Sequence, residues 1–91
     1  MLTPSNRQPT HPGEILLEEF LVPMRMTQVD LANTLAIPIQ RVNTIINRKR
    51  GITAETAILL AKALGTTPEF WMHLQVAWDL HEAKQRLEKA A

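Results

Sequence analysis

The sequence predicts an all-α protein: five helices in one compact bundle, the last of them extended. Three observations lead there. Apolar residues recur at helical spacing, and no segment shows the period-2 alternation of a strand. Proline and glycine fall where helices start or stop. The chain has 91 residues, one domain's worth, and so short a chain folds alone most economically as helices.

Each element follows in order. Residues 1–10 hold Pro4 and Pro9 among polar residues and read as a flexible arm, leaving residues 11–91 as the domain. Pro12 suits a first helical position, and Ile15, Leu16, Leu17, Phe20 and Leu21 follow as an apolar face. Pro23 is expected to stop that helix. Thr27 with Asp30 three residues on is a variant capping box for a helix over roughly 28–35, which should bury Val29, Leu31, Ala32 and Leu35. Ala36-Ile37-Pro38 breaks the pattern before a short helix from Ile39 to about Asn47. Thr53 caps a fourth helix with Ala57, Leu60, Ala61 and Leu64 inward, closed by Gly65. Thr67 caps the last helix, with Pro68 at its first position, and that helix should reach Leu87 or beyond.

Composition removes several function classes. The chain has no Cys, which excludes a disulfide framework, a thiolate metal site and a cysteine nucleophile. Ser5 is the one serine and there is no Tyr. His11 lies beside Pro12, and His73 and His81 are eight apart, not the i, i+4 pair that brings two imidazoles onto one metal, so each reads as a surface or capping residue. No catalytic residue, metal or cofactor is therefore expected. No apolar run approaches the ~20 residues of a membrane span, and the first residues lack the apolar stretch of a secretory signal. A cytoplasmic domain that is not an enzyme is the expectation.

The charge is unevenly placed. Residues 25–50 carry Arg25, Arg41, Arg48, Lys49 and Arg50 against Asp30 alone, whereas residues 1–24 carry Arg7 against Glu14, Glu18 and Glu19. A basic segment of this kind is the footprint of a polyanion partner. Residues 28–47 outline helix, tight turn, helix. On the second helix Ile39, Val42, Ile45 and Ile46 share one side, and Gln40, Asn43, Thr44 and Asn47 share another. A merely solvated face usually carries Lys and Glu, but this one carries uncharged groups of the kind that hydrogen-bond base edges. Arg41, Arg48, Lys49 and Arg50 flank it, where phosphates would pass. Gln28 opens the preceding helix, whose positive dipole end favours a phosphate.

These residues resemble a known family. Thr27-Gln28-x-x-Leu31-Ala32, Leu35-Ala36-Ile37 and Val42-x-x-Ile45 look like the phage-repressor-like (XRE-type) helix-turn-helix. A narrower set is similar to the HigA-type antitoxins: His11-Pro12-Gly13-Glu14-Ile15-Leu16, Glu19-Phe20-Leu21, Asn47-x-Lys49-Arg50-x-Ile52-Thr53 and Leu64-Gly65-Thr66-Thr67-Pro68-Glu69-Phe70-Trp71. The likeness runs from about His11 to Leu80. It implies a type II toxin–antitoxin system, in which the chain binds a HigB-like messenger-RNA endonuclease and represses its own operon as a homodimer on double-stranded operator DNA. It also carries base reading onto Ile39, Gln40, Asn43 and Thr44, with Asn47 joining them from the face composition. Three positions depart from the pattern. Ala36 replaces the turn glycine, Pro38 stands where Ser or Thr usually caps the recognition helix, and Arg48 stands where glycine is frequent, so a left-handed backbone is expected at Asn47 or Arg48. Rival readings are a stand-alone repressor without a toxin and a protein-interaction module that does not bind DNA.

The last helix carries two apolar stripes. Phe70, Trp71, Leu74 and Trp78 form one, and Met72, Val76, Leu80, Ala83 and Leu87 form a nearly opposite one. A surface helix needs a single stripe, so the second is expected to meet its two-fold mate in an isologous dimer.

Overall fold

A computed structural model describes residues 8–90. Those residues form five helices and no strand: α1 over residues 12–24, α2 Gln28–Leu35, α3 Ile39–Ile46, α4 Ala54–Leu64 and α5 Pro68–Ala90. The arm expected over residues 1–10 lies outside the described residues except for residues 8–10, which have no regular structure. No helix among the described residues is long and apolar enough to cross a membrane.

The N-terminal caps are the predicted ones. Thr27, Thr53 and Thr67 accept the amides of Asp30, Thr56 and Phe70 at 3.0, 3.2 and 3.1 Å. At α1 the cap is His11, whose Nδ1 accepts the Gly13 N–H at 2.9 Å.

Pro23 does not stop α1. The helix is α-helical over Pro12–Ile15, π-helical over Leu16–Leu21 and α-helical again over Val22–Met24. The Val22 amide reaches the Leu17 carbonyl five residues back, so the coil is already widened where the proline ring arrives. Glu18, Glu19 and Pro23 are all exposed, so a carbonyl that proline leaves without an amide can be solvated.

Helices α1, α2 and α3 end on a left-handed residue that is not glycine: Arg25 at φ 54°, Ala36 at 57° and Arg48 at 63°. Paired bonds hold each bend. After α2 the Ile37 N–H donates to the Ala32 carbonyl at 3.1 Å and the Ala36 N–H to Asn33 at 3.2 Å. After α3 the Lys49 N–H donates to Thr44 at 2.8 Å and the Arg48 N–H to Ile45 at 3.1 Å. This is the Schellman arrangement, strong enough to offset the ~1–2 kcal/mol that a Cβ costs in the left-handed region.

The core gathers Leu16 and Leu21 from α1, Leu31 and Leu35 from α2, Val42 and Ile45 from α3, and Leu60 from α4, around the fully buried Trp71 of α5. The indole N–H of Trp71 donates to the Thr66 hydroxyl at 2.7 Å, which satisfies its polar atom. Val29 is exposed, contrary to expectation, because the turn of α2 presents Leu31, Ala32 and Leu35 to the core instead. Gly13 sets the spacing of α1 and α3. A Cβ there would lie 2.0 Å from the Ile45 carbonyl oxygen, so any side chain would push the two helices apart.

Candidate nucleic-acid interface

The interface is built from α2, the turn 36–38, α3 and the loop that follows. The capping box at Thr27 is reciprocal: Asp30 Oδ2 accepts the Thr27 N–H at 3.0 Å, which also holds the Asp30 carboxyl below its usual range. Pro38 offers no side-chain acceptor to α3, but its ring presets φ at −61° for the entry. The turn between them uses Ala36 in the left-handed conformation where glycine is customary.

Burial divides α3 cleanly. Val42, Ile45 and Ile46 are buried, while Gln40 and Asn47 are exposed. Asn43 and Thr44 are half-buried and already engaged on the outward side. Asn43 Nδ2 donates to Gln28 Oε1, and the Thr44 hydroxyl donates to the Arg41 carbonyl at 3.0 Å. Ile39, expected as a base reader, is half-buried and packs against the core, because it sits on the same side of α3 as Val42 and Ile46.

Of the cations, Arg41 and Arg50 come together although nine residues separate them. With Pro38, Gln40 and Thr44 they line one shallow hollow of about 240 Å³. Lys49 and Arg50 are exposed. Arg48 is not a free anchor: its guanidinium pairs with the Glu14 carboxylate of α1, a contact that nothing in the local sequence announced.

The second stripe of α5 is shorter than the sequence suggested. Met72 packs against the core, because the first turns of α5 lie against the rest of the domain on both sides. Val76, Leu80 and Leu87 are 50%, 60% and 71% exposed, and Ala83 is half-buried.

Sequence reasoning passed over Gln75. It is buried, its Oε1 accepts the Ile52 N–H at 2.6 Å and its Nε2 donates to Asp79 Oδ1 at 2.9 Å. Its register, one helical turn after Trp71, was the available signal for a buried amide. Among the described residues no cluster of His, Asp or Glu is placed to hold a metal.

Residues 17–71 match the model of a helix-turn-helix family. Antitoxin HigA-1 of Vibrio cholerae is 41% identical over 87 residues, covering 96% of this chain and 82% of that protein. Among solved structures, an addiction-module antidote protein of the HigA family from Coxiella burnetii matches with a TM-score of 0.85 at 50% identity, over 92% of this chain and 91% of the other. A Pseudomonas aeruginosa antitoxin HigA, solved with the higBA promoter, matches with a TM-score of 0.87 at 38% identity, over 91% and 90% of the two chains.

Proposed function

Because the chain belongs to the HigA-type antitoxins of the XRE-like helix-turn-helix family, DNA-binding regulators and not enzymes, we propose that it is the antitoxin of a type II pair that represses its own operon and neutralises a HigB-like messenger-RNA endonuclease in the cytoplasm. The observation that carries the DNA half is the outward face of α3, where uncharged Gln40, Asn43, Thr44 and Asn47 are bordered by cations, Arg41 and Arg50 sharing one hollow with Gln40 and Thr44, and Lys49 exposed beside them in the chain. That is uncharged base readers with phosphate anchors beside them.

In this reading α3 enters the major groove. Gln40, Asn43, Thr44 and Asn47 meet base edges, with Ile39 limited to apolar contact at the groove wall. Gln28, Arg41, Lys49 and Arg50 meet phosphates. The partner in the assembly is a second copy joined through Val76, Leu80, Ala83 and Leu87, so that two recognition helices address half-sites about one helical turn apart. Residues 11–91 act as the domain and residues 1–10 as its arm.

The test is binding to duplex DNA from upstream of the protein's own gene, followed by fluorescence anisotropy across a salt series. A strong preference over scrambled DNA and a steep fall of log K with log salt are expected. Binding that is indifferent to sequence would overturn the reading. The toxin half is tested separately by purifying the chain with the product of the adjacent reading frame. Co-elution and loss of that product's ribonuclease activity are expected, and free passage of both proteins leaves a stand-alone repressor.

A further inference from the structure

The loop between α3 and α4 carries Lys49 and Arg50, and something must hold those cations in one place if they are to touch phosphates at a fixed register. At its start the loop is held by α3 itself, through the Lys49 and Arg50 amides donating to the Thr44 carbonyl at 2.8 and 3.2 Å. At its end it is held by α5, through Gln75 Oε1 accepting the Ile52 N–H at 2.6 Å. Between these points Gly51 lies flat against the same side chain. A Cβ at Gly51 would come within 2.7 Å of Gln75 Nε2, so any other residue there would displace this amide.

A buried amide is a poor filler. It is tolerated only when both ends are hydrogen-bonded, and an apolar residue of like size would pack there at less cost. Here both ends are bonded, because Nε2 donates to Asp79 Oδ1 one turn along α5 at 2.9 Å, which fixes the amide with its oxygen toward the loop. Gln75 stands next to Val76, the first exposed residue of the α5 stripe. In the dimer proposed above, α5 would therefore meet its two-fold mate with one residue while it grips the basic loop with the residue before it.

We propose that Gln75 is a positioning residue for DNA binding: it ties the Lys49–Arg50 loop to α5, so that the phosphate anchors are placed relative to the dimer axis and not only to α3. The proposal rests on the DNA-binding reading given above. Asp79 sets the polarity of the tie, and Gly51 allows it.

The experiment uses the full chain and duplex DNA from its own upstream region, with three variants. Gln75→Leu removes the acceptor at similar volume. Gln75→Glu keeps an acceptor for Ile52 but loses the donor and sets two carboxylates side by side. Gln75→Glu combined with Asp79→Asn keeps the acceptor for Ile52 and restores the bond between 75 and 79 with its donor and acceptor exchanged. Each is measured well below its unfolding temperature, with circular dichroism and sedimentation as controls, so that a loss of fold is seen separately. Gln75→Leu is expected to remain helical while its operator affinity falls about ten-fold and its salt slope becomes shallower by about one unit, the worth of one phosphate contact. The Gln75→Glu single variant should weaken binding likewise, and the double variant should recover it. A folded Gln75→Leu with wild-type affinity and slope overturns the proposal. So does a folded double variant that binds no better than Gln75→Glu alone, and this comparison stands even if Gln75→Leu does not fold. Failure of the wild type itself to bind its upstream DNA is a different result, which removes the DNA-binding reading and this proposal with it.

Discussion

The side-chain amide of Asn43 donates to Gln28 Oε1, joining the first residue of α2 to the middle of α3 across the turn. A glutamine expected at a phosphate and an asparagine expected at a base are thus one unit. Each orients the other, and a residue held in one rotamer before binding gives up less entropy on the DNA.

Gln28→Ala is expected to reduce discrimination at the base position that Asn43→Ala also affects. A double-mutant cycle on operator affinity should return a coupling of roughly 0.5–3 kcal/mol. Strictly additive losses would show that the two act alone.

Gln40 is exposed at the centre of the same face and makes no bond within the protein among those described. Its replacement by Ala is expected to cost ~1–3 kcal/mol at the operator and to relax one base position. Specific and non-specific affinity are measured side by side, and an unchanged ratio between them would sink the assignment.

The Glu14–Arg48 pair makes a prediction of opposite sign. Both side chains are about half exposed, so the pair adds little to stability, but it occupies the Arg48 charge. Glu14→Gln is expected to release that cation, tightening binding to all duplexes and steepening the salt slope by up to one unit. Lys49→Ala and Arg50→Ala should each make the slope shallower by about one unit, and Arg48→Ala should change it less than either. A Glu14→Gln slope equal to the wild type's would place Arg48 away from the phosphates.

Leu80 is 60% exposed in a helix whose first turns are already packed. Leu80→Glu is expected to convert a dimer into a folded monomer, read by sedimentation at micromolar concentration, and to weaken operator binding by the loss of the second half-site. A variant as dimeric as the wild type would move the interface elsewhere.

His11 ties stability to pH. Its Nδ1 must be unprotonated to accept the Gly13 amide, and its ring is buried in an edge-on contact with Trp78 at 4.9 Å. Burial, and then the Arg48 charge, push its pKa below the ordinary 6.5. The unfolded chain therefore takes up the proton at a higher pH than the folded one. The resulting stability is complete above about 6.5 and is lost as pH falls toward the lowered folded value. Denaturant melts should show the wild type weakening over this window, and His11→Asn, which keeps a capping acceptor without titrating, should weaken less. Parallel curves for the two proteins would remove His11 as the cause.

Much of this protein is local and therefore readable along the chain. The threonine caps, the left-handed Gly65 and the two faces of α3 depend on residues within a turn or two of one another, where helical geometry alone decides which side chains meet. The likeness of His11-Pro12-Gly13-Glu14 and its companions to the HigA-type antitoxins was legible for a related reason, since Gly13 and the caps are demanded by geometry at those positions. What only the tertiary structure decided are the contacts between residues far apart in sequence. Periodicity could not tell that Glu14 would meet Arg48, that Met72 would turn toward the core, or that Gln75 would reach the Ile52 amide twenty-three residues earlier. Even the survival of α1 through Pro23 depended on a π-helical register that local propensity does not signal, and on a face left open to water. A helical pattern says which residues share a face; which partner that face receives is set by how five helices share one small core.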